Sequence, residues 1–110
     1  MTLPSPGQAV RGSDTGRPIM AALDLLGRRG ALRALWELRG EPLTFRALQA
    51  AADTNPALLN TRLKELRHAQ LVLHDAGGYR LSPQGRELLI VLDPLLHWSE
   101  RWAEVTSRQA

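Results

Sequence analysis

The sequence predicts a mainly α-helical domain with one small β-hairpin, and three observations support this fold class. Apolar residues recur at helical spacing in several segments between positions 18 and 106. Two residues that cap helix N-termini well, Thr44 and Asn55, come directly before two of these segments. Two short apolar stretches flank residues 75–78 (DAGG), whose glycines can supply the positive φ that a hairpin turn needs.

Two helices are predicted in the first part of the domain. Residues 1–15 are rich in Pro, Gly, Ser and Thr without periodicity, so we expect a disordered tail ahead of a domain at residues 16–108. Apolar residues at i, i+4 and i+7 predict a first helix between Pro18 and Gly27. A second helix, at about Arg29–Arg39, is expected to stop at Gly40. Four apolar residues of this second helix are expected to point inward: Leu32, Leu35, Trp36 and Leu38.

The middle of the chain predicts a helix–turn–helix. Thr44 begins a short third helix, because its hydroxyl can accept from the unpaired N–H groups of the first turn. Asn55 caps a fourth helix at about Pro56–His68, and Pro56 stands at the first helical position, where a missing N–H costs nothing. Leu59, Leu63 and Leu66 form the inward side of this fourth helix.

A hairpin and a long helix complete the predicted fold. The strands are expected at Leu71–His74 and Tyr79–Ser82, and the last helix at Pro83 to about Thr106. Pro94 should kink this helix or split it in two, with Asp93 as the N-cap of a second part. With the hairpin at about residues 71–82 as the wing, this order of elements is the plan of a winged helix-turn-helix.

Composition restricts the classes of function. The chain has 14 basic and 11 acidic residues, a net charge of +3 and no cysteine, which excludes disulfides, thiolate metal sites and a thiol nucleophile. The positive charge belongs to residues 11–80, with 11 Lys and Arg against 7 Asp and Glu, and such an excess suits a polyanion. No apolar run approaches the roughly 18 residues of a membrane span, and no secretion signal is recognisable. We therefore expect a cytoplasmic protein.

The chain resembles the HxlR-type branch of the MarR-like winged-helix transcription regulators over about residues 17–103. The resemblance lies in "PIMAALDLLG", "LRALWELRGEPLTFRALQ", "NPALLNTRLKELRHAQLV", "YRLSPQGRELLIVLD" and "HWSER", which follow one another in the family's order. It implies a dimeric, sequence-specific DNA-binding regulator, usually bacterial, whose terminal helices form the dimer. Three features depart from the family: Arg17 stands where many members carry a cysteine, "RRGA" replaces "GKWT" at the second helix, and the wing is short.

The fourth helix is the candidate recognition helix, because the second helix of a helix–turn–helix enters the major groove. Asparagine can bond adenine in a bidentate way and threonine can contact a thymine methyl, so Asn55, Asn60 and Thr61 are candidates for base contacts. Arg62 and Lys64, further along, are candidates for phosphate contacts. A polar helix face that meets only water is the competing interpretation.

Phosphate contacts are also expected from Thr44, Arg46 and Arg80, which surround the recognition helix in sequence order. Arg28 and Arg29 stay open between phosphate contact and an ordinary charged surface. A wide apolar band on the last helix, together with the first helix, indicates homodimerisation, with core packing as the alternative. The candidate dimer residues are Ile19, Met20, Leu23, Leu95, Trp98 and Trp102.

Catalysis has little support in the sequence. His68, His74 and His97 lack the spacing of metal ligands, and no phosphate loop, nucleophile elbow or carboxylate pair occurs. We therefore predict no enzyme, no catalytic or metal-binding residue and no cofactor. The leading prediction is a homodimeric regulator of double-stranded DNA with a near-palindromic site. The rival is a winged-helix module that binds protein without specific DNA binding, and a small-molecule effector stays an open option.

Overall fold

The computed structural model describes Pro6 and residues 17–108 of the chain. The predicted tail at residues 1–15 lies outside these residues apart from Pro6, and the domain boundary at residue 16 stays a prediction. The fold class is confirmed as mainly α-helical with a hairpin wing. The elements in order are α1 (Pro18–Leu26), α2 (Ala31–Glu37), α3 (Phe45–Ala52), α4 (Pro56–His68), β1 (Val72–Asp75), β2 (Gly78–Leu81) and α5 (Pro83–Arg108).

The helix–turn–helix begins at the two predicted N-caps. The Thr44 hydroxyl accepts from the Ala47 N–H at 3.1 Å, and the Asn55 side-chain oxygen accepts from the Leu58 N–H at 2.8 Å. Each bond satisfies one of the N–H groups that have no partner in the first turn of a helix. The side-chain caps therefore set the first residues of both α3 and α4.

The core lies where α2, α3 and α4 meet beneath the hairpin. Leu63 and Leu66 of α4 are buried there, as predicted, and the other two helices contribute one apolar side each. The largest fully buried side chains are Leu35, Leu38, Leu48, Leu59, Leu63, Leu66 and Val72.

The inward side of α2 differs from the prediction. Leu32 and Trp36 are 39% and 43% exposed, so half of the predicted inward set faces solvent. Gly30 has a φ of 86°, a left-handed conformation outside the helix, so α2 begins two residues later than expected. The buried residues are spaced at i, i+3, i+4 and i+7, as a single helical stripe requires: Ala31, Ala34, Leu35 and Leu38.

The hairpin is an antiparallel pair in which Val72 faces Leu81 and Asp75 faces Gly78. Each strand is displaced by one residue from its predicted range, which shortens the turn to two residues. Gly78 has a φ of 109°, and a Cβ there would approach the Leu43 carbonyl oxygen to 2.6 Å. This close approach allows two hydrogen bonds between the backbones of Leu43 and Tyr79, at 2.9 Å and 2.7 Å.

Helix α5 runs without a break from Pro83 to Arg108, so the predicted split at Pro94 is wrong. The lost N–H removes one backbone bond, but the chain stays helical on both sides. Asp93 is therefore not an N-cap, and its carboxylate lies 3.6 Å from His97 in the next turn. Among the described helices, none has the length and apolarity needed to cross a membrane.

Candidate nucleic-acid interface

The two sides of α4 differ as the sequence predicted. The three leucines of its inward side are buried in the core. Asn60, Thr61 and Lys64 are exposed on the outward side, together with Asn55 and Ala57 at the start of the helix. The buried leucines anchor α4 in the core, so the side chains on its exposed polar face are held in a defined geometry.

The three residues that are candidates for base contacts differ in the polar groups that remain available to a base. The Asn55 side-chain oxygen already accepts from the helix backbone, which leaves its NH₂ group for another partner. The Thr61 hydroxyl donates to the Ala57 carbonyl at 3.1 Å, which leaves its methyl group and hydroxyl lone pairs. Asn60 is exposed one turn into the helix. Because bidentate contact with adenine needs both amide atoms, Asn60 is better suited to it than Asn55.

Arg62 lies off the outward side. Its Nε donates to the Arg29 carbonyl at 2.7 Å, and its Nη1 donates to Glu65 Oε1 at 2.9 Å. The side chain is only 16% exposed. The bond to Arg29 ties α4 to the segment between α1 and α2, so Arg62 helps to hold the candidate recognition helix in place.

A buried ion pair reinforces this attachment. Arg28 Nη1 donates to Glu65 Oε2 at 2.6 Å, and Arg28 Nη2 donates to Asp24 at 3.1 Å. Neither alternative left open for Arg28 holds, because its side chain is buried between α1 and α4. Glu65 was missed by sequence reasoning, although its spacing three residues after Arg62 is a signal for a helical ion pair.

A cleft of about 440 Å³ separates the second half of α4 from the hairpin. Lys64 and Arg80, which were predicted to contact phosphates, meet here with Arg67 and His74, for which no DNA contact was predicted. Arg67 lies three residues after Lys64, a spacing that places both on one side of the helix. The cleft is lined by Lys64, Arg67, Val72, Leu73, His74, Asp75 and Arg80.

Arg80 is engaged by an acidic neighbour within the hairpin. Its Nη1 donates to Asp75 Oδ2, and Asp75 Oδ1 accepts from the Gly77 N–H at 2.9 Å. The hydrogen bond from Arg80, followed by that from Gly77, holds the pKa of the Asp75 carboxyl below its usual range. Asp75 is therefore a carboxylate at neutral pH, and it neutralises one of the cations in the cleft.

The first turn of α3 is joined to the hairpin by aromatic rings. The rings of Phe45 and Tyr79 are 6.4 Å apart, and those of Tyr79 and His74 are stacked at 3.9 Å. Thr44 and Arg46, on either side of Phe45, are exposed. The packing fixes the start of α3 relative to the hairpin, so both can face the same partner.

The candidate dimer residues lie on two exposed apolar surfaces. On α1, Ile19 and Leu23 are each 58% exposed, and Met20 is half-buried. On α5, Trp98 and Trp102 are stacked with ring centroids 5.4 Å apart. The large exposed apolar residues of α5 are Ile90, Val91, Leu95, Leu96, Trp98, Trp102 and Val105.

Among Pro6 and residues 17–108, no group of three or more His, Asp or Glu side chains is arranged to hold a metal ion. The three histidines, whose spacing in the sequence does not suit a metal site, also lie on different parts of the fold. His74 stacks on Tyr79, and His97 faces Asp93 on α5.

Comparisons with known proteins agree with the winged helix-turn-helix fold. A sequence model of the HxlR-like helix-turn-helix family matches residues 25–107. An uncharacterized HTH-type transcriptional regulator of Methanocaldococcus jannaschii is 26% identical over 90 residues, which cover 77% of this chain and 85% of that protein. The crystal structure of quinone-bound YodB from B. subtilis has a TM-score of 0.71 at 25% identity, and the match covers 76% of this chain and 96% of that one. The chain therefore belongs to the HxlR-like helix-turn-helix family of DNA-binding transcription regulators and is not an enzyme.

Proposed function

We propose that the protein binds a near-palindromic site on double-stranded DNA as a homodimer, with α4 of each copy in the major groove. The observation that carries the proposal is the exposed polar face of α4, held rigidly by buried leucines on its other side. The hairpin contacts the DNA backbone or the minor groove next to it. The proposal includes a cytoplasmic location, because chromosomal DNA lies in the cytoplasm of bacteria.

Base contacts are assigned to the first turns of α4. Asn60 accepts from and donates to one base, with adenine as its preferred partner. Thr61 contributes its methyl group, and the NH₂ group of Asn55 donates a single hydrogen bond. These three exposed side chains read only a few base pairs, so one copy cannot specify a site in a genome.

Phosphate contacts surround the base contacts. Lys64 and Arg80 act from the cleft, and the exposed Thr44 and Arg46 act from the start of α3. Arg62 is assigned a smaller share, because two of its N–H groups are engaged within the protein. Its remaining N–H groups can meet a phosphate only at the edge of α4.

Dimerisation is supported by the amount of apolar surface on the terminal helices. A contiguous exposed apolar patch on a small domain usually marks an interface. The faces of α1 and α5 supply such surface, and stacked tryptophans are well suited as interface anchors. A two-fold dimer would place two recognition helices about 10 bp, or roughly 34 Å, apart on one face of the duplex.

A small-molecule effector is supported by one cavity. It has a volume of about 710 Å³ and lies between α1, the end of α4 and the start of α5, with Leu25, Leu71 and Leu88 among its walls. This size suits a small aromatic ligand. The solved relative is described as quinone-bound. With no cysteine in this chain, a quinone would have to bind here without a thiol adduct.

The rival function is a winged-helix module that binds another protein. Such a module would expose aromatic or aliphatic residues on α4. The exposed side of α4 instead carries Asn55, Asn60, Thr61 and Lys64, with Pro56 and Ala57 as small apolar members at the start of the helix. This composition favours DNA over an apolar protein surface.

Selection of bound duplexes from a random pool tests the proposal. We expect enrichment of one near-palindromic sequence whose half-sites are about 10 bp apart. The control is a protein with Asn60 and Lys64 both changed to Ala, which should bind more weakly and lose the base preference at the one position of each half-site that Asn60 reads. An unenriched pool from the folded wild-type protein would favour the protein-binding alternative.

A further inference from the structure

We propose that the cleft between α4 and the hairpin binds one DNA phosphate and that Asp75 competes with this phosphate for Arg80. The inference rests on the proposed DNA-binding function and adds a site and a regulating residue to it. Arg67, for which the sequence predicted no DNA contact, becomes part of the proposed DNA-binding surface.

The lining of the cleft supports an anionic ligand. Lys64 and Arg67 reach it from α4, and Arg80 reaches it from β2, so three cations converge from two elements. Asp75 is the acidic residue among those that line it. The volume of about 440 Å³ accommodates a phosphodiester group with its water. Arginine and lysine from separate elements can therefore meet one phosphate together.

Asp75 already occupies the place of an anion beside Arg80. One of its oxygens accepts from the Arg80 guanidinium and the other from the Gly77 N–H. The two side chains are 51% and 37% exposed, and ion pairs exposed to water in this way are weak. A phosphate, which is anionic and can accept from several donors at once, can displace the carboxylate. Binding must then give up the Asp75–Arg80 pair, which lowers affinity.

The competing carboxylate acts on affinity but not on sequence preference. Phosphate contacts contribute equally to all duplexes, and each one adds about 0.9 to the slope of log affinity against log salt concentration. Asp75 therefore lowers the affinity for non-specific DNA as well as for the operator. Its loss should be visible on a random duplex.

The test compares Asp75→Asn with the wild type on a random duplex at several salt concentrations. Asparagine still offers an oxygen to the Gly77 N–H, so the turn is retained while the charge is lost. We expect affinity to rise about threefold to tenfold at low salt and the salt slope to steepen by up to about 1. Arg67→Ala should have the opposite effect on both quantities.

Asp93→Asn is the matched control, because it removes the same charge from an exposed aspartate on α5, outside the cleft. It should change affinity less than about twofold, as expected for a distant charge in salt. Equal effects of Asp75→Asn and Asp93→Asn would overturn the proposal, as would a loss of affinity in Asp75→Asn. If the wild-type protein binds no duplex at low salt, the proposed DNA-binding function itself is wrong. If the wild type binds DNA but the two substitutions have equal effects, only the competition by Asp75 is wrong.

A double-mutant cycle separates competition from a purely structural role. Arg80→Ala alone should weaken DNA binding only slightly, because Asp75 already neutralises Arg80. In the Asp75→Asn background, the same change should weaken binding several-fold more. If Arg80→Ala has the same effect in both backgrounds, Asp75 does not compete with the phosphate.

Discussion

Asn60 and Lys64 lie about one turn apart on the exposed side of α4, and we propose different parts for them in DNA recognition because their chemistry differs. An amide can discriminate among base edges, because each base pair presents its own pattern of donors and acceptors. An ammonium group meets phosphates, which are the same in every sequence. The two side chains thus allow affinity and specificity to be changed separately.

Asn60→Ala should reduce affinity by about 1–3 kcal/mol for the preferred base at one position of each half-site. It should leave binding to random duplex nearly unchanged, because no phosphate contact is lost. Fluorescence anisotropy with a set of single-base operator variants measures both quantities. A uniform loss over all positions would contradict base contact by Asn60.

Lys64→Ala should weaken binding to every duplex to a similar degree and reduce the salt slope by about 0.9, the contribution of one phosphate. Arg101→Ala on α5 removes the same charge outside the cleft and should leave the slope unchanged. Titrations between low and moderate salt provide the measurement. An unchanged slope for Lys64→Ala would mean that this lysine faces only water.

Mild treatment with peroxide or diamide should leave DNA affinity unchanged. The chain contains no cysteine, so neither a disulfide nor a thiol adduct can form. The remaining route is slow oxidation of its two methionines. A gel shift before and after treatment is the measurement, and rapid release of DNA that a thiol reductant reverses would contradict this expectation.

Elements were predicted best where a local interaction fixes a boundary. The caps at Thr44 and Asn55 define the starts of α3 and α4 through bonds to N–H groups three residues away, and both starts are confirmed. Helix α2 begins later than predicted, because Gly30 adopts a left-handed φ ahead of the helix. This φ depends on how the chain enters the helix, which a local sequence pattern does not show. At Pro94, the local rule for proline predicted a kink or a split, and the helix is not split.

The attachment of α4 to the rest of the fold was not predictable from local pattern. Glu65 and Arg28 are 37 residues apart, and their pairing results from the packing of α4 against the segment after α1. The same holds for the cleft, since Arg67 and His74 come together only when the hairpin packs beside α4. Long-range contacts of this kind carry no period in the sequence.

Glu65→Ala should lower the free energy of unfolding by about 3 kcal/mol, because it leaves the buried Arg28 guanidinium without its closest carboxylate. Glu37→Ala is the control, because its pair with Arg33 on α2 is more exposed and should be worth only about 0.3–0.5 kcal/mol. Urea unfolding followed by circular dichroism measures both. Equal destabilisation by the two substitutions would contradict the stabilising role of the buried pair.

At the scale of the whole molecule, the apolar faces of α1 and α5 remain uncovered in a single copy. The sequence predicted apolar bands on both helices, but periodicity alone could not separate core from interface. The structure shows which residues of these bands pack against the core and which are exposed. Leu88 packs partly against the core, whereas Leu95, Trp98 and Trp102 are exposed.

Trp102→Ala should shift the protein from dimer to monomer, with a loss of about 2 kcal/mol or more in association free energy. Because Trp102 is 54% exposed in the single copy, the helix–turn–helix should stay folded. Specific DNA affinity should fall as well, although Lys64 and Arg80 are unchanged. Sedimentation at micromolar concentration measures the association.

Trp36→Ala is the control for this substitution. Trp36 is also exposed, but it lies on α2 with Arg39 stacked over its ring at 4.3 Å. It shares a groove with Leu89 and Ile90 in the first half of α5, and neither Trp98 nor Trp102 lines this groove. Its removal should leave the dimer intact. A wild-type protein that sediments as a monomer would remove the argument for a palindromic site.

The backbone bonds between Leu43 and Tyr79 have a consequence for the length of DNA that the protein covers. They fasten the hairpin to the segment before α3, so the hairpin and the helix–turn–helix form one rigid unit. Each strand has four residues and extends about 13 Å at roughly 3.3 Å per residue, which limits the reach of the tip. The exposed loop residues Ala76 and Gly77 lie beyond this anchor, so extra residues inserted between them would lengthen the protected footprint without disturbing the core.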